Sequence, residues 1–174
     1  MNKITAFEYL LYRIYLWKNE MDSTALEEIS FSRIKALKLL FFVAAVRNEQ
    51  NEDLLDIFNN FYAMQFGPVE SDVYNSMSNG GLSFFSASDL KLDVQGLSRI
   101  QEMETTPFIV IDNAIETLKA ISPQIVLYSA TDLVDVSHKW DCWRTAFEIA
   151  SLLNKGSYRM SSTSIRKSNS VFVR

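Results

Sequence analysis

His138 and Cys142 are the only histidine and the only cysteine in the chain. They stand four residues apart, so on a continuous helix they would share a face. There an imidazole and a thiol could act as base and nucleophile, with Asp135 or Asp141 orienting the ring. Such a pair also needs an oxyanion site, and a structural histidine with a small buried cysteine accounts for the same residues more simply. Asp132, Asp135 and His138 offer carboxylate and imidazole ligands for a metal at i, i+3 and i+6. The outer two diverge by about 120° around a helix of 3.6 residues per turn. Asp132 is better explained as part of a helix cap. One His and one Cys cannot furnish a Cys/His structural zinc site. Gly80-Gly81 lies in no phosphate-binding pattern, and G-x-G-x-x-G is absent. The expectation is therefore no catalytic group, no metal and no cofactor. A small Cys/His or metal-assisted hydrolase remains a remote alternative.

Helices must position these residues. Thr5 and Glu8 form a T-x-x-E box ahead of Phe7, Leu10, Leu11, Ile14 and Tyr15, whose spacing predicts a helix to about Asn19. A second helix, from Ser30 or Ser32, is apolar most of the way round and reads as central and buried. A short helix is expected at Glu52–Phe58. Gly67-Pro68 reads as a tight turn feeding a helix from Pro68 to about Met77, stopped by Asn79-Gly80-Gly81. Leu82–Val94 alternates in both halves, which fits a small β-hairpin or an irregular loop. Helices follow at Leu97–Glu104 and Phe108–Ile121, with a short one at Gln124–Tyr128. Ser129 and Asp132 open another helix towards His138, and a last one spans Thr145–Asn154. Trp143 is expected to fold back under His138 where Asp141 or Cys142 breaks the helix. The fold class is mainly α, one domain of about seven helices.

The chain has 174 residues, 48% of them hydrophobic, which suits one domain with a real core. One Cys excludes an intrachain disulfide framework and fits a reducing cytosol. The net charge of −4 is concentrated, because residues 51–120 hold 11 acidic against 3 basic side chains. That middle opposes sequence-blind DNA binding, which relies on neutralising phosphates, and suits a basic protein partner. No signal peptide is read at the N-terminus. The most apolar run, Leu37–Val46, rises only about 15 Å as helix, half a bilayer core. A cytoplasmic protein with no specific nucleic-acid binding and no membrane association is expected. Trp140 and Trp143 flank a charged turn and suit either a core or an interface hot spot.

Three segments, in order, resemble one family. Lys38-Leu-Leu-Phe-Phe42 looks like K-L-L-Y-F. Ala63-Met-Gln-Phe-Gly-Pro-Val69 with Val73-Tyr74 resembles A-W-x-Y-G-P-V…V-Y. Leu133-Val-Asp-Val-Ser-His138 with Trp143 resembles L-x-x-L-T-H-x-x-x-P-W. The family is the Panacea domain, the antitoxin domain of many toxin–antitoxin pairs, also described as phage-associated protein. The chain departs from it at Phe41, Met64, Phe66, Ser137 and Cys142, and Trp140 stands where an acid is common. The resemblance covers about residues 4–155, which puts a helical domain at 1–156 and a Ser/basic tail, docked or partly mobile, at 157–174. It implies a mainly helical antitoxin that neutralises a cognate toxin protein by direct binding. Some relatives look like adaptors that deliver a client to a protease component. The partner-binding candidates are Gly67, Pro68, Val69, Tyr74, Ser137, His138, Trp140 and Trp143. His138 is expected to be at least half buried, neutral at pH 7, and hydrogen-bonded to backbone or to a carboxylate near the Gly67–Tyr74 turn.

Overall fold

Ten consecutive residues, Ala36 to Ala45, are buried in α2 (Arg33–Ala45), so this helix can only be the centre of the fold. Ser32 caps it, its hydroxyl accepting from the Lys35 amide at 3.2 Å. The computed structural model describes residues 2–21, 30–46 and 53–168. Arg47, Glu52 and Val171–Val173 lie outside the described residues. Helix α1 (Lys3–Met21) lays Phe7, Leu10, Leu11, Ile14 and Trp17 into the core. Its cap is Asn2, whose Oδ1 accepts from Ile4 and Thr5, and not the expected Thr5–Glu8 box.

Glu8 instead organises a distant loop. Fully buried, its Oε1 accepts from the amides of Ser83, Phe84 and Phe85 at 2.9, 2.6 and 3.0 Å. Burial pushes this carboxyl up, while the three donors pull it back. Those donors turn towards a carboxylate and not towards a partner strand. The alternation at 82–94 therefore yields only one isolated bridge, Phe85 to Leu92, and no hairpin forms there.

The hairpin forms earlier. Strands β1 (Phe61–Met64) and β2 (Gly67–Glu70) pair antiparallel, with Ala63 opposite Pro68 and Met64 opposite Gly67. The expected helix from Pro68 is thus a strand up to Glu70. A proline tolerated at the first turn of a helix is equally tolerated on an edge strand, and β2 is an edge. Helix α3 (Ser71–Ser78) begins only where the Glu70 carboxylate caps the Val73 amide at 2.9 Å. The expected helix at Glu52–Phe58 is reduced to a 3₁₀ turn at Leu54–Asp56.

Helices α4 (Val94–Gln101) and α5 (Ile109–Ile121) follow. Then come α6 (Ala130–His138), opened by the expected Ser129–Asp132 capping box, and α7 (Asp141–Leu152). Strand β3 (Tyr158–Met160) pairs with β1 to complete the sheet order β2-β1-β3, and α8 (Ser162–Lys167) buries Ile165. Among the described residues, eight α-helices and a small antiparallel sheet therefore make one mainly helical domain. Much of the acidic middle is tied to cations from either end of the chain. Lys3 pairs with Glu70 and Asp72, Arg13 with Asp112, and Arg166 with Asp53 and Asp56. Among the described residues no helix is long and apolar enough to cross a membrane.

Candidate functional site: the β1–β2 hairpin tip

The two-residue turn Gln65-Phe66 returns the chain into Gly67, which adopts φ +90°. An L-residue strains there, and there is no room for one. A Cβ at Gly67 would lie 2.3 Å from Ser137 Oγ and 2.8 Å from Lys38 Cε. The glycine thus lets the hairpin close directly onto α2 and the end of α6.

Further contacts hold the tip. Lys38, 1% exposed, donates from Nζ to the Pro68 carbonyl at 2.7 Å. No carboxylate shares that ammonium among the described residues, and burial pulls its pKa down to about 7. Trp143 Nε1 donates to the Met64 carbonyl at 3.1 Å. The Trp143 ring stacks on His138, with centroids 3.9 Å apart, and on Phe147 at 4.9 Å. Trp143 reaches His138 because α6 ends at His138 and α7 restarts at Asp141. The fold-back is the expected one, but the break lies at Lys139-Trp140, and Asp141 and Cys142, expected to break the helix, open α7 instead.

His138 is largely enclosed. Burial lowers its pKa and the Lys38 ammonium lowers it further, while Asp135 and the Gln65 backbone pull the other way. Its Nε2 has no hydrogen-bond partner, and no carboxylate bonds to it among the described residues. Ser137 is fully buried and donates to the Val134 carbonyl at 2.8 Å within its own helix.

The eight family-motif residues fall mostly inside. Gly67, Pro68 and Val69 are buried in β2. Trp140 is 1% exposed, edge-on to Phe41 at 5.1 Å, so it belongs to the core and not to an open surface. Trp143 and Ser137 are buried as well, and only Tyr74, on α3, stands well exposed. What this scaffold presents outward is different. Phe66 at the tip is 58% exposed and Ile34 on α2 is 41% exposed. With Gln65, Thr131, Val134 and His138 they line an open, mainly apolar groove of about 380 Å³. Sequence reasoning missed Phe66 and Ile34 as surface residues. The available signal was an aromatic at the second position of a two-residue turn, where a side chain cannot reach the core.

The chemistry weighed from sequence does not assemble. Cys142 lines a separate cleft of about 590 Å³ with Thr145, Tyr158, Arg159, Lys167 and Ser168, whereas His138 lines the groove. Burial pushes the Cys142 thiol up, opposite to the shift a nucleophile requires. Asp132 is engaged in its capping box with Ser129. Among the described residues no group of three His, Cys, Asp or Glu side chains is placed to hold a metal ion.

No curated protein and no solved structure matches the chain. Residues 37–144, well over half of it, match the family described as "Antitoxin SocA-like, Panacea domain". That interval opens one residue before Lys38 and closes one after Trp143, so it encloses both hydrogen bonds that pin the hairpin tip. A shared sequence signature that folds into one buried knot identifies the scaffold, and the chain belongs to the SocA-like Panacea-domain antitoxin family.

Proposed function

We propose that this protein is a cytoplasmic antitoxin that neutralises a cognate protein toxin by direct binding, with no catalytic group, cofactor or specific nucleic-acid contact of its own. The supporting observation is how the family residues are used. Lys38, Gly67, Ser137 and Trp143 fix a hairpin tip from within, and the large apolar side chains left outside it are Phe66 and Ile34. A preorganised tip loses little freedom on binding, and an exposed aromatic on such a platform is a natural anchor. The motif candidates Gly67, Pro68, Val69, Ser137, His138 and Trp143 then act by positioning, and Tyr74 as a peripheral contact. Co-expression with the toxin encoded in the neighbouring reading frame tests the reading. Toxicity relieved by this chain supports it, and a toxic neighbour that is not relieved sinks it.

A second reading, an adaptor that delivers the toxin to a protease component, draws on one further observation. The cleft between α7, β3 and α8 is built from other elements than the groove. An adaptor needs two such separable surfaces. It requires that the toxin's lifetime fall when this chain is present. An unchanged lifetime leaves direct neutralisation alone.

A further inference from the structure

The groove beside the hairpin tip has a chemical preference that can be read from its walls. We propose that it is a docking site for the partner protein, and that it takes an apolar side chain with a carboxylate beside it. The partner's identity as a toxin rests on the antitoxin reading, but the chemistry of the groove does not.

Apolarity follows from the lining. Ile34, Phe66 and Val134 supply its surface, and two of them are large side chains open to solvent on one concavity. Contiguous exposed apolar surface of this kind marks an interaction site, whereas a single exposed residue such as Val94 does not. A volume near 380 Å³ lies at the small end for ligand pockets, which run from about 300 to 1,000 Å³, and suits one or two side chains.

The carboxylate follows from charge. No acidic side chain lines the groove. Behind its wall lies the Lys38 ammonium, packed against Gly67 and close enough to His138 to shift it, with a single acceptor for its three donors. His138 itself lines the groove; its ring is bonded to the Gln65 backbone, so its buried Nε2, which has no partner, donates to a carboxylate when the ring is protonated. Ile34 sits in the first turn of α2, the positive end of that helix, and is followed by Lys35, which no acid pairs among the described residues. Two acids stand nearby on α6. Asp132 is tied to Ser129, and Asp135 is exposed. Solvent screens those exposed carboxylates far more than it screens the buried ammonium, so the balance at the groove is positive.

Methyl-labelled intact protein tests this by NMR titration at pH 6.0, where the Lys38 amine is mostly protonated, with three small probes: N-acetyl-L-phenylalanine, its neutral amide, and acetate. The expected result is that N-acetyl-L-phenylalanine moves the methyls of Ile34 and Val134 and binds at least about threefold more tightly than the amide, as a charge-assisted contact should. Acetate alone leaves those methyls in place. Phe66→Ser, at an exposed position that the fold does not need, weakens both phenylalanine probes together. Lys38→Met brings the carboxylate down to the affinity of the amide. Equal affinity for carboxylate and amide in the wild type, or no movement at Ile34 and Val134, overturns the proposal and leaves the antitoxin reading intact. A toxin that is not relieved on co-expression sinks the antitoxin reading and leaves this titration standing.

Discussion

Replacing Lys38 by Met should flatten the pH dependence of stability. In the unfolded chain the amine has its ordinary pKa of 10.5, and in the fold burial holds it at about 7. Between those values the unfolded state binds more protons than the folded one, so stability rises with pH across the window. The gain is complete only above the unfolded pKa, and it is lost as pH falls towards the folded one. The two pKa values give about 1.6 kcal/mol of added stability from pH 7.0 to 8.5, and only about 0.35 kcal/mol from pH 6.0 to 7.0. Lys35, also lowered from 10.5 by burial and by Lys18, adds a smaller slope of the same sign, so the comparison with Lys38→Met isolates the Lys38 part. His138 is depressed below 6.5, so its effect is spent by pH 7, and the Cys142 thiol is raised above 9. Urea unfolding at pH 6.0, 7.0 and 8.5 measures the slope directly. Lys38→Met should remove most of it, whatever the mutant's absolute stability once the Pro68 carbonyl has lost its donor. A wild type that is flat from pH 7.0 to 8.5, or a mutant that keeps the slope, refutes the reasoning.

Gly67→Ala should destabilise by at least about 2 kcal/mol, read as a drop in melting temperature, because it combines left-handed strain with the clash against Ser137 and Lys38. Glu8→Ala should cost about 3 kcal/mol, since a charged acceptor of three amides is lost. Amides 83–85 should then exchange much faster while those of α2 change only with global stability, and unchanged exchange at 83–85 would contradict this. His138→Ala should cost about 1–2.5 kcal/mol, because the stack on Trp143 and the hydrogen bond to the Gln65 backbone are both lost. A loss above 3 kcal/mol in chemical denaturation would show that a polar partner had been overlooked.

The long helices were legible because each carries its own signal. The apolar circumference of α2, the Ser129–Asp132 box and the spacing of Ile111, Ile115 and Leu118 in α5 are local facts. The sheet was not legible. Its strands are three or four residues long, and β3 joins β1 from nearly a hundred residues away. Period two cannot be read in Gly67–Glu70, where all four residues are buried. The loop at 82–94 misled for the opposite reason. Its alternation is real, but Glu8, some 75 residues earlier, captures the amides that a hairpin would use. At the site, resemblance found the right segments, and Trp143 did fold under His138. It could not say which residues face outward, because a motif records which side chains are needed, not which are exposed. Phe66, inside the motif, and Ile34, outside it, form the open surface, while Trp140, a candidate contact, is core.

Direct neutralisation is tested most plainly by mixing the purified chain with the purified toxin that it relieves in cells, and following both complex formation and toxin activity in the absence of any protease. The account predicts a stable stoichiometric complex in which toxin activity is lost, and a Phe66→Asp variant that melts like the wild type yet no longer forms it. Relief in cells without a complex in the purified mixture, or a complex that leaves the toxin active, would contradict the central claim.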